Sequence, residues 1–268
     1  MMREGGVTTN KKADWNGVRN GPSFSKGLSH LHIKSALTLK KRTWRRYTFE
    51  FLSIFVAVIS AFALNNWNDN RRDNRAESKI LMEILNGLEK DKNDIAINRM
   101  GHEQGIRACA FWRRILQGES PALDTLVRHY VALTRDFTSI QNTSGYETLK
   151  SRGFELVDND SLRSKIISLY EFDYQTLRKL EEEYYELQFQ ENYFAEINRA
   201  VAPHFVYDAQ GDIVDMDLPI TLPEPERKIL LSYLWKIEFN RKFIMYFYDE
   251  VNEKIDALQV AIEAELTR

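Results

Sequence analysis

FLSIFVAVISAFAL, residues 51–64, is the stretch that decides the architecture. It carries no charge and no proline. With residues 47–50 before it and 65–67 after, the apolar segment reaches about 20 residues, enough for a helix to span a hydrocarbon core of roughly 30 Å. Trp44 and Trp67 bracket it, about 34 Å apart along a helix, as interfacial anchors would be. Asn65, Asn66, Asn68 and Asn70 mark the exit into water. A buried core helix would leave the neighbouring basic cluster and the paired tryptophans without a role. A cleaved signal peptide, which Ala61-Phe62-Ala63 resembles, would need an unusually long basic region ahead of it. The expectation is therefore one retained membrane helix over residues 47–67.

Charge divides the chain at the same place. The overall net charge is −2. Residues 1–46 hold eleven Lys/Arg against two Asp/Glu, and residues 47–67 hold only Glu50, which leaves 68–268 at −10. A basic, mostly disordered tail at 1–46 is thus joined to an acidic domain at 68–268. Lys40, Lys41, Arg42, Arg45 and Arg46 precede the apolar segment, and Arg71, Arg72, Arg75 and Lys79 follow it. The excess of cations on the N-terminal side predicts a cytoplasmic tail and an extracytoplasmic C-terminal domain, in the cytoplasmic membrane. Anionic lipid headgroups are the economical partner of the tail, and nucleic acid is not expected.

Glu50 opens the membrane helix one turn after Arg46, so the two are expected to pair at the membrane edge. Ser53, Ala57 and Ala61 repeat every four residues. Such a small-residue stripe lets a second helix approach closely, and homodimerisation through this face is the expectation.

Glycine (12) and proline (6) are scarce, which favours long helices. A long helix is predicted from residue 68 to 117, with a break near Gly101 or Gly105. A second is predicted over 121–134, started by Ser120-Pro121. A short one follows at 144–152, capped by Ser144 with Glu147 as its capping-box partner and stopped at Gly153. Asp160 or Ser161 is then read as the cap of a helix running to Ala202. Leu230, Ile237, Ile244, Val251 and Leu258 recur every seven residues in the last helix, with Leu234, Tyr248, Ile255 and Ile262 as companions and Arg241 as the exception. The fold class expected is all-α: a membrane helix continuing into an extended antiparallel helical bundle with heptad packing. Only 203–225 reads as non-helical, a loop or small hairpin.

No motif with a chemical mechanism is present. The five histidines form neither HExxH nor a helical ExxH pair, and Asp208, Asp212, Asp215 and Asp217 lack calcium-loop spacing. No metal, cofactor or catalytic residue is expected. The single cysteine, Cys109, excludes an internal disulfide and reads as core. Glu181, Glu182, Glu183 and Glu186 read as a wet helix face. The aromatic residues of 184–194 and 233–248 read as core packing.

Two blocks carry a family resemblance. One is Glu50 at the start of the membrane helix with Ala63-Leu64-Asn65-Asn66-Trp67-Asn68 at its end. The other is Ser144-Gly145-Tyr146-Glu147-Thr148-Leu149-Lys150-Ser151-Arg152-Gly153, followed by Asp160-Ser161-Leu162-Arg163. Together they resemble a family of uncharacterised bacterial single-pass membrane proteins defined by a domain of unknown function, over roughly residues 45–265. Ser60 and Ala61 stand where members often carry glycine, and the basic N-terminal extension is longer than is usual there. The resemblance implies an anchored helical domain and supplies no activity. The functional expectation is a membrane-anchored helical scaffold or protein-interaction domain. Its alternative is a sensor-like module that binds a small apolar ligand between helices and signals through the membrane helix.

Overall fold

The structure, a computed structural model, describes residues 33–267, with side chains from Trp44 onward. The rest of the basic tail, residues 1–32, lies outside the described residues. Helix α1 spans Ile33–Leu116, 84 residues without a proline, so it already begins inside the segment read as tail. The chain divides into two units at Asn65/Asn66.

In the first unit, α1 buries nothing from Trp44 onward. Phe51 (69% exposed), Ile54 (62%) and Phe62 (66%) are largely uncovered by protein. Among the described residues, α1 is the one helix long and apolar enough to cross a membrane, with a window of mean hydropathy 1.9. Its hydroxyls turn inward on its own backbone: Thr48 donates to the Trp44 carbonyl and Ser53 to that of Glu50. Such back-bonding satisfies polar groups without water.

The second unit is built on α1 from Asn66 to Leu116 and on α7 (Glu224–Leu266), which starts with proline in its first turn and so has its missing N–H where none is needed. The two run antiparallel. Arg113 pairs with Glu238, Arg99 with Asp249, Lys92 with Asp256, and Gln259 donates to Glu89. On α7, burial recurs in steps of three and four through Leu230, Leu234, Ile237, Arg241, Ile244, Tyr248, Val251, Ile255, Leu258 and Ile262. On α1, the same steps run through Ile84, Leu88, Asp91, Ile95, Asn98, His102, Gly105, Cys109, Trp112 and Leu116. The irregularity of α1's apolar pattern is thus four buried positions occupied by polar residues or glycine.

Helices α2 (Leu126–Leu133), α3 (Ser144–Arg152), α4 (Asp160–Ser168), α5 (Tyr174–Glu183) and α6 (Phe189–Val201) complete the second unit. Strands β1 (Phe205–Tyr207) and β2 (Ile213–Met216) form an antiparallel hairpin that pairs Phe205 with Met216. The fold is mostly helical, with this hairpin as its β-structure among the described residues.

Several local expectations need correction. α1 does not break at Gly101 or Gly105. A side chain at Gly101 would meet the Phe137 ring at 2.3 Å, and one at Gly105 would meet Arg241 Nε at 2.2 Å, so both glycines make room and neither kinks the helix. α2 starts at Leu126, because residues 117–125 form turns and irregular chain after Leu116. Ser144 does not cap α3: its hydroxyl donates to Asn142, and Thr143 holds the cap position without a side-chain bond. α4 is capped one residue earlier than predicted, by Asn159, whose side chain accepts from the Ser161 and Leu162 amides. The single helix predicted from 160 to 202 is three, since a π-turn at Leu169–Asp173 joins α4 to α5 and extended backbone at Tyr184 ends α5.

Candidate functional site

Polar residues converge inside the second unit, and Arg241 is at their centre. It is fully buried. Its Nη2 donates to the carbonyls of Ala132 (3.2 Å), Leu133 (3.0 Å) and Arg135 (3.0 Å), which lie at and just beyond the C-terminus of α2. Helix C-termini leave such carbonyls unpaired and carry negative dipole charge, so a guanidinium there is favoured twice. The Phe189 ring lies 4.3 Å from its Cζ, a cation–π contact strengthened by desolvation. Burial pulls its pKa down to about 10, so it stays charged at neutral pH.

Arg241 sets the direction of a hydrogen-bond chain. Its Nη1 lies 3.1 Å from His102 Nδ1. A guanidinium only donates, so Nδ1 accepts and the imidazole proton sits on Nε2. Nε2 faces the Tyr248 oxygen at 3.4 Å, and Tyr248 donates to Glu181 Oε1 at 2.6 Å. Glu181 Oε2 accepts from both the backbone N–H (3.0 Å) and the hydroxyl (2.7 Å) of Ser139. Glu181, read from sequence as part of a wet face, is therefore a buried acceptor.

Two carboxylates of α1 continue the pattern. Asp94 accepts from the Ile140 amide (2.8 Å), and Asp91 from the Asn142 amide (2.6 Å) and the Tyr174 hydroxyl (2.7 Å). Residues 135–143 contain no helix or strand, and only Ser139 and Gln141 among them are buried; the inward-facing N–H groups of such a segment need partners. Asp91, Asp94 and Glu181 supply them. Beside this, the π-turn holds Tyr170 flat against Tyr146, with centroids 4.5 Å apart, and Tyr146 donates to Glu171.

Burial raises the carboxyls of Asp91 and Glu181 above their ordinary range and pushes the Cys109 thiol up to about 12. Cys109 is therefore an inert core residue. His102 is pushed down to about 3 by burial and, secondarily, by Arg241. Its contribution to stability is complete above pH 6.5, where unfolded histidine is neutral, and falls as pH drops from 6.5 towards 3. The slope is about 1.4 kcal/mol per pH unit. The raised carboxyls act with the opposite sign, since the folded form then holds the extra proton. Wild-type protein is expected to lose about 2 kcal/mol to His102 between pH 6.5 and 5. His102→Gln, which keeps an acceptor for Arg241 and a donor for Tyr248, should remove that loss. Urea unfolding at both pH values checks this; equal pH slopes in the two proteins would refute it. His129, also pulled down by burial, is common to both proteins.

Two surface hollows near this cluster have other linings. One of about 330 Å³ is bounded by α6 and the start of α7, around Arg199, His204 and Tyr233. Another, of about 290 Å³, lies around Arg107 and His129. Neither reaches Arg241, His102, Tyr248 or Glu181.

On the outside of α7, Trp235 (60% exposed) stacks on Phe239 (55%) at 5.3 Å, and Tyr246 (58%) follows along the helix. Tyr184 and Tyr185 are exposed too. The expectation that these aromatics pack in the core holds for Tyr193 and Tyr248 and fails for Trp235, Tyr246, Tyr184 and Tyr185. The buried stripe of α7 is mostly aliphatic, which leaves these rings outside.

Of the residues singled out from sequence, Trp44 and Trp67 are exposed, as are Ser53, Ala57 and Ala61. Arg46 and Glu50 are exposed one turn apart, and the ion pairs among the described residues do not include one between them. Among the described residues no group of three or more His, Cys, Asp or Glu is arranged to hold a metal ion. No protein-family model, curated protein or solved structure matches this chain.

Proposed function

We propose that the chain is a membrane-anchored helical scaffold whose second unit binds another protein. The observation that carries this is the α7 ridge of Trp235, Phe239 and Tyr246, left exposed over a core in which Arg241, His102, Tyr248 and Glu181 bond in series. Exposed stacked aromatics on a helix are the composition of a docking surface. A ligand-sensing role would need a chamber between the helices, and Arg241 fills that space beside Gly105.

Anchoring is supported by the apolar run at 51–64. A surface of that size, uncovered by protein, is unfavourable in water at about 25 cal/mol per Å². In this reading Trp44 and Trp67 mark the two interfaces, Arg46 and Glu50 stand one turn apart at the cytoplasmic edge where a bilayer would favour their pairing, and the second unit is extracytoplasmic. The buried steps on α1 and α7 support an extended antiparallel bundle with heptad packing. Ser53, Ala57 and Ala61 form the face through which two copies associate in the bilayer. The resemblance to the uncharacterised single-pass family fits this architecture.

The test is site-specific photo-crosslinking of the full chain in native membranes, with the probe at Phe239 and, as control, at Glu263 on the same helix. A discrete adduct at Phe239 alone is expected, and Trp235→Ala with Tyr246→Ala should abolish it. Identical crosslinking from both positions, or none from either, would sink the docking surface.

A further inference from the structure

Directly after the apolar segment, α1 carries three arginines that differ in their surroundings. Arg72 lies between two carboxylates, 3.8 Å from Asp69 and 3.9 Å from Asp73. Arg71 and Arg75 have no carboxylate partner among the described residues. They stand one and two turns beyond Trp67 on the same face of the helix, because side chains four apart align. Arg71 Cζ lies 5.7 Å from the centre of the Trp67 ring. Asn70, Asn74 and Ser78 line the neighbouring row, and the six residues bound a shallow hollow of about 490 Å³. No carboxylate lines it. The adjoining hollow, which shares Asn70 and Asn74, is lined by Asp73, Glu155 and Asp158 against Arg152 alone and would repel an anion.

We propose that Trp67, Arg71 and Arg75, with the Asn70 and Asn74 amides, bind the phosphodiester headgroup of an anionic phospholipid. This rests on residues 47–67 spanning a membrane. Guanidinium forks match phosphate oxygens, and side-chain amides donate to the same oxygens or to glycerol hydroxyls. The heights agree. Along a helix Arg71 lies about 6 Å and Arg75 about 12 Å beyond Trp67. The headgroup layer extends roughly 5–8 Å past the hydrocarbon on each side, so Arg71 falls within it; the Arg75 backbone lies about 4 Å beyond it, a gap that an arginine side chain tilted towards the helix N-terminus spans. Ser78 does not compete for the anion, since its hydroxyl donates to the Asn74 carbonyl.

The experiment reconstitutes the full chain in phosphatidylcholine vesicles containing spin-labelled phosphatidylglycerol or spin-labelled phosphatidylcholine. The motionally restricted fraction of each label is then compared. Wild type should select phosphatidylglycerol, with a roughly fivefold loss for each guanidinium removed in Arg71→Gln and Arg75→Gln. Arg72→Gln, which removes an ion-paired arginine, should change selectivity little. Equal selectivity in wild type and the double variant overturns the site. Loss of selectivity on adding millimolar glycerol phosphate would assign the site to a soluble phosphate and overturn the lipid source. Release of the protein from the vesicles by alkaline carbonate would defeat the membrane reading itself, whereas retention without selectivity defeats only this site.

Discussion

Arg241→Ala is expected to lower the stability of the second unit by about 3–5 kcal/mol, more than any other single substitution considered. Two costs add. The truncation opens a void beside Gly105, between the Phe189 and Phe137 rings. It also leaves the carbonyls of Ala132, Leu133 and Arg135 unpaired in the core. Arg241→Met separates the costs: it fills most of the space and restores no donor, so it should keep the hydrogen-bonding penalty alone. Arg241→Lys should fall between wild type and Met, since an ammonium lacks the planar fork that serves carbonyls and His102 together. Thermal or urea unfolding of the full chain in detergent reads all three. A loss under about 1 kcal/mol for the alanine variant would mean that the core polar chain contributes little.

Gly145→Ala is the second large effect, expected at about 2–3 kcal/mol. A β-carbon there would lie 2.8 Å from the Ile84 backbone nitrogen, 2.8 Å from Ile84 Cγ1 and 3.1 Å from the Glu83 carbonyl carbon. Two of these atoms are helix backbone and cannot swing aside, so α3 must retreat from α1. The retreat would loosen the Tyr146–Tyr170 stack and the hydrogen bond from Tyr146 to Glu171. Near-ultraviolet circular dichroism reports the tyrosines while unfolding reports the energy. Unchanged tyrosine signals with wild-type stability would contradict the close approach. Gly145 belongs to the block that carries the family resemblance, and its structural role is to let α3 touch α1.

Some of this was legible in the residues and some was not, for physical reasons. The α7 stripe could be read because its buried positions are almost all aliphatic. The α1 stripe looked irregular because Asp91, Asn98, His102 and Gly105 occupy its core positions. Arg241, the lone cation in an aliphatic series, was the visible sign of that polar interior, and its partners on α1 and α2 come from far along the chain. Glu181 was misread for the same reason: its acceptors serve Ser139 and Tyr248, which no local pattern reveals. The end of α5 at Tyr184 has no proline or glycine to announce it. The aromatic ridge was present as composition, but which rings face outward depends on which side of α7 meets α1.

The anchoring and sidedness of the second unit are tested most directly by protease treatment of intact spheroplasts, with an epitope at the C-terminus, followed by alkaline-carbonate extraction of the membranes. The account predicts an epitope that stays with the membrane after extraction and is digested from outside. A membrane-bound epitope protected until lysis would place the unit in the cytoplasm, and an epitope released by carbonate would contradict a membrane-spanning α1.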